Sequence, residues 1–197
     1  MGIAMKKNIL PAVRLLIVLT VITGVLYPLL ISGAAAVCFP ERAGGSLVKI
    51  NGTIAGSELI AQNFTSAKYF HPRPSAVDFN PMPSGASNWS ITADTLKKLF
   101  DLRAAGFRKE NFIESNVEIP SEMLFASGSG VDPHISKDAA LLQVNRVAES
   151  RAFTSGKKTE LVQIINTLSR KTIFSILGEE LINVLLLNIE LDKLSSK

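Results

Sequence analysis

LLIVLTVITGVLYPLLISGAAAVCF, Leu15 to Phe39, runs for 25 residues without a charged side chain. At 1.5 Å of rise per residue, about 20 apolar residues cross the hydrocarbon core of a bilayer, so this run spans one even when tilted. A cleaved signal peptide is the competing reading, with Lys6 and Lys7 as its basic end and Ala34-Ala35-Ala36 as its cleavage site. Its apolar region, however, covers only about 7–15 residues. The length here favours an uncleaved helix. Pro28 lies inside the run, removes one backbone donor and crowds the carbonyl of Gly24, which predicts a kink. Thr20 and Gly24 are small and four apart, a face that a neighbouring helix can approach closely. Lys6, Lys7 and Arg14 precede the span, whereas Arg42 and Lys49 follow it with Glu41 between them. The bias favours a cytoplasmic N-terminus and a domain facing outward.

Outward from the span, hydrophobic residues make up 47% and charged residues 19% of the 197-residue chain, enough for a packed core and unlike a disordered composition. The net charge of +4 is mostly the three cations at the membrane flank. No basic block with interleaved aromatics follows, which argues against nucleic-acid binding. Cys38 is the single cysteine, so an intrachain disulfide is excluded.

The domain reads as mixed. Leu47 to Ile50 is a short strand, and Asn51-Gly52 is a hairpin signal before Thr53-Ile54. Residues 71–92, with Pro72, Pro74, Pro81 and Pro83, form an irregular loop too long for a connector. A helix is predicted from Thr92 to Ala105 and broken by Gly106. Ile119 to Ala126 is apolar, strand or helix. Ser136 caps a helix running to about Arg151, with Ala140, Leu141, Val144, Val147 and Ala148 inside and Gln143 and Arg146 on a solvated side. Thr159 to Leu168 is a short amphipathic helix. Asn183 to Leu191 alternates at a period of two and predicts a final strand.

Chemistry-bearing groups are few. Ser127, Ser129, Asp132 and His134 lie within ten residues of one another. They are the ingredients of a membrane-tethered extracytoplasmic serine hydrolase, but G-x-S-x-G is absent, and a turn leading into the Ser136 cap explains the same residues. His71 and His134 have no cysteine or helical partner to make a metal site. No phosphate-binding glycine loop is present, which excludes nucleotide hydrolysis by the chain alone. Gln143 and Arg146 have the groups to recognise a carboxylate or phosphate.

Several blocks together carry a family resemblance. The first runs from Gly56 to Gln62, then Tyr69-Phe70, Arg73 to Ala76, and Ser84-Gly85 with Ser87-Asn88. The second is Ala126 to Ser136, then Ala139-Ala140, Gln143-Val144 and Arg146 to Ala148. The third is Leu177 to Glu179, Asn183 to Leu185 and Leu187-Asn188. With Pro11, Arg14 to Leu16, Thr20, Gly24 and Tyr27-Pro28 at the N-terminus, the chain resembles the C subunit of the Kdp potassium-transporting ATPase. It departs from that family's pattern at Ala61, Phe79, Ala86, after Trp89, at Asn166 to Leu168 and at Glu180.

The resemblance implies a non-catalytic accessory subunit of an ATP-driven potassium-uptake complex in a bacterial inner membrane. With the reading of the span and its flanking charges, the chain is expected to have a short cytoplasmic N-terminus (1–13), one transmembrane α-helix (14–39) and an α+β extramembrane domain (40–197). Its partners would be a potassium-channel-like subunit and a P-type ATPase subunit. The family's C subunit stabilises their assembly and has been assigned a catalytic-chaperone role that raises the ATP affinity of the ATPase subunit. Gln143 matches the glutamine proposed to meet nucleotide, with ATP met only in the complex and no cofactor or metal bound alone. Thr20, Gly24, Tyr27, Pro28, Asp132, His134 and Arg146 are the implied partner-interface positions. A nucleotide contact needs the domain in the cytoplasm, whereas the flanking charges place it outside, where it would cover the ion entrance.

Overall fold

The computed structural model describes residues 2–169 and 178–196, so Leu177 of the third block lies outside the described residues. The chain divides into two compact units, Met1–Leu47 and Val48–Lys197.

The first unit is helical. Helix α1 (Gly2–Val21) passes into a π-helical turn, Ile22–Leu26, and then into α2 (Tyr27–Cys38). The stretch Asn8–Cys38 is a 31-residue helix long and apolar enough to cross a membrane. Its apolar side chains are exposed all around, the pattern of a helix whose solvent is not water. Before Pro28, where a kink is expected, the turn holds an extra residue, and the Tyr27 N–H reaches back to the Ile22 carbonyl. A short α3 (Pro40–Ala43) follows.

At the start of the second unit, β1 (Leu47–Ile50) and β2 (Thr53–Ser57) form a two-stranded sheet. Asn51 (φ 50°) and Gly52 (φ 80°) make the left-handed turn that the Asn-Gly pair favours. From residue 58 to 93 there is neither helix nor strand, an irregular stretch longer than the loop predicted at 71–92. Helix α4 covers Asp94–Asn111. It continues through Gly106, correcting the predicted break. A lone glycine in a long helix costs only about 1 kcal/mol, and the helix ends instead where Phe112 turns left-handed at φ 56°. The ambiguous segment at 119–126 is a 3₁₀ turn, Ser121–Met123, entered at Pro120.

Strand β3 (His134–Ser136) pairs antiparallel with β4 (Leu181–Asn183), Ile135 opposite Ile182. Helix α5 (Lys137–Ser150) starts at the predicted Ser136 cap, whose Oγ accepts the Ala139 N–H at 3.1 Å. Helix α6 (Ser155–Leu168) starts four residues earlier than predicted, capped by Thr154. The predicted final strand is helix α7 (Val184–Ser195). Asn183 ends β4 and caps α7 by accepting the Leu186 N–H. The buried residues of α7, Val184, Leu185, Leu187, Asn188, Leu191 and Leu194, then follow helical spacing. Because the adjoining positions are also leucines, a period of two was equally readable there. Helices α5, α6 and α7 pack around one core with the β3–β4 ribbon, and Phe70 from the irregular stretch is wholly buried in it.

Candidate functional site

Phe70 and His71 have no strand partner, yet both backbones are fully paired. Asn188 of α7 accepts the Phe70 N–H through Oδ1 at 2.8 Å and donates Nδ2 to the Phe70 carbonyl at 3.0 Å. Gln143 of α5 does the same to His71, at 2.7 and 3.2 Å. Each side-chain amide reproduces the two bonds that a neighbouring strand would make. Gln143 is completely buried and Asn188 nearly so.

Arg146 completes the grip. Its Nη1 donates to the carbonyls of Ala67 and Tyr69 at 2.7 and 2.9 Å, its Nη2 to Gln143 Oε1 at 2.8 Å, and its Nε to Asn111 Oδ1 at 2.9 Å. Arg146 is only 4% exposed, and its guanidinium is thus solvated by protein dipoles. Burial lowers its pKa to about 10, so it remains a cation at neutral pH. Burial and the nearby Arg146 charge also depress the His71 pKa, which keeps the ring neutral. The expectation of a solvated helix face for Gln143 and Arg146 is therefore corrected. Their polar groups turn inward because the loop backbone they face has no ladder of its own.

Asp132 organises a second cluster. Its Oδ1 accepts the His134 N–H at 3.0 Å, and Oδ2 accepts Arg73 Nη1 at 2.8 Å. The His134 ring lies 3.6 Å from Oδ1 at its Nδ1, longer than a hydrogen bond. The His134 ring and backbone N–H, together with Arg73, hold the carboxyl down to about 2 against the opposing effect of burial. Around it the loop is stitched shut: Ala61 N–H to Val131 O, Ser127 N–H to Pro74 O, Gly85 N–H to Ser129 O, and Ser75 Oγ to Gly130 O. Gly130 has φ 72°, and a Cβ there would lie 2.8 Å from the Gly85 carbonyl, so glycine is required. The hydrolase arrangement is not assembled. His134 Nε2 is buried with no hydrogen-bond partner among the described residues, so neither serine hydroxyl is on it, and Ser129 Oγ accepts the Val131 N–H.

In the first unit, Thr20 and Gly24 are one turn apart, with the Thr20 methyl 4.0 Å from where a Cβ of residue 24 would sit. Tyr27 and Pro28 open α2 just beyond the π turn. The structure therefore joins Gln143 with Arg146 and Asp132 with His134, while Asn111 and Asn188 are essential partners that sequence reasoning missed. Helical spacing of Val184, Leu187, Asn188 and Leu191 was the available signal for Asn188.

Two outcomes follow from this geometry. Gln143→Ala leaves the His71 N–H and carbonyl unpaired in the interior, and should lower unfolding stability by about 2–5 kcal/mol, read by denaturant titration of the full chain in mild detergent. Asp132 has a folded pKa near 2 against 3.8 unperturbed, so its stabilisation is complete above about pH 4 and is lost as pH falls toward 2. After solvent screening this is on the order of 1–2 kcal/mol. Asp132→Asn should flatten that acid limb of the stability profile, and an unchanged limb would contradict the assignment.

Comparison with known proteins places the whole chain. Residues 9–193 match the family described as KdpC: K+-transporting ATPase, c chain. The potassium-transporting ATPase KdpC subunit of Leptospira interrogans is 49% identical over 92% of this chain and 91% of its own. The KdpC subunit of Mycobacterium tuberculosis is 40% identical over 96% of this chain and 100% of its own. That of Klebsiella pneumoniae is 40% identical over 95% of this chain and 97% of its own. With nearly its whole length aligned from the apolar helix through α7, the chain belongs to the KdpC family, the c chains of K+-transporting ATPases.

Proposed function

We propose that the chain is a non-catalytic accessory subunit of an ATP-driven, high-affinity potassium-uptake complex, spanning a bacterial inner membrane once. The observation that carries this is a family match extending through both units, including a helix with its apolar surface exposed along its length. Such a helix is suited to pack against other membrane segments. The partners are a channel-like subunit and a P-type ATPase subunit, which the chain holds together. ATP affinity of the ATPase subunit is raised through that assembly, with no nucleotide bound by this chain alone.

The buried amide of Gln143, already committed to His71 and Arg146, supports a positioning role for this residue. It orders the loop that the partners meet, and direct nucleotide contact would require breaking the grip. Asp132 and His134 act likewise, by shaping the loop surface. The flanking cations support a cytoplasmic N-terminus and an outward domain.

Affinity purification of the full chain in mild detergent should recover two large membrane proteins; a lone monomeric chain would refute the reading. A reporter fused after Lys197 should be active only outside the cytoplasm, and activity confined to the cytoplasmic side would reverse the orientation.

A further inference from the structure

The midpoint of the Asn8–Cys38 helix is Thr23, and its carbonyl lacks both regular main-chain donors among the described residues. In an α-helix that oxygen would accept from residue 27, but the Tyr27 N–H goes to Ile22 O. In the wider π register it would accept from residue 28, and Pro28 has no N–H. The extra residue of the turn and the proline thus remove both candidate donors for one oxygen. The Thr23 hydroxyl does not compensate, because it donates to Leu19 O at 2.7 Å, one turn back. Gly24, next along, loses its own α-register donor to Pro28 and has no side chain to cover the backbone. At the centre of a bilayer neither water nor a lipid tail supplies a donor, so an unpaired carbonyl there must be met by protein.

We propose that the Thr23 carbonyl accepts a hydrogen bond from a side-chain hydroxyl or amide on a transmembrane helix of a partner subunit, seated where Gly24 leaves the backbone bare. This rests on the accessory-subunit reading and specifies the chemistry of its membrane contact. The partner helix must carry Ser, Thr, Asn or Gln at the depth of residue 23, because a purely aliphatic helix would leave the oxygen unsatisfied.

Thr23-Gly24 is the only Thr-Gly step in the chain. Carbonyl-¹³C threonine with ¹⁵N glycine therefore reports this one carbonyl by solid-state NMR. The measurement compares the full chain alone in bilayers with the purified complex in the same bilayers. A downfield move of the Thr23 carbonyl on assembly is expected. Pro28→Ala, which returns a backbone donor to the turn, should weaken recovery of the partners by roughly three- to tenfold. A complex that forms with the carbonyl resonance unmoved overturns the inference and leaves the accessory reading standing. Failure of the wild-type chain to form any complex overturns both.

Discussion

Two backbone residues without a strand partner set the terms for the whole extramembrane domain. Phe70 must be buried to complete the core, and burying it carries the peptide groups of residues 69–71 into the interior. Unpaired, those groups would cost more than the ring contributes. The amides of Asn188 and Gln143 remove that cost from opposite helices, and Arg146 extends the pairing to Ala67 and Tyr69. Arg151 continues the same logic at the rim, donating to Lys68 O while pairing with Asp192. Helices α5 and α7 are thereby fixed to one short piece of chain, and α4 is joined to α5 through the bond from Arg146 to Asn111.

The irregular stretch is ordered by the same device on a larger scale. It lacks a ladder, so its backbone groups are satisfied singly by the 127–134 loop and by side chains such as Ser75, which accepts the Val77 and Phe79 N–H groups, and Asn183, which donates to Glu58 O. This explains why the block from Ala126 to Ser136 looks like a catalytic motif in sequence and behaves as a clasp in the fold. Its serines, glycines and aspartate are the residue types that satisfy turns, and here they do so.

What was legible in the sequence was whatever local chemistry decides. The apolar run, the Asn51-Gly52 turn, the Ser136 cap and the proline-rich irregular stretch all follow from nearest neighbours. Gln143 and Arg146 were misplaced because polarity alone directs a side chain to water, and only the tertiary position of residues 67–71 directs it inward. The α7 segment was ambiguous because leucines on both parities satisfy a strand and a helix alike, and the Asn183 cap decides between them. Gly106 looked like a stop although the neighbouring turns of α4 were favourable enough to carry it.

The grip on Phe70 and His71 joins residues 118 and 72 positions apart in the chain. Such distant closures are slow and come late in folding. The segment that buries Phe70 cannot settle by local contacts, because one of its clamps is carried by Asn188 in α7. The irregular stretch from Glu58 to Ala93 therefore cannot complete its pairing until α7 is in place. Helix α7 is thus more than one wall of the core: without it the Phe70–His71 segment loses one of its two amide clamps.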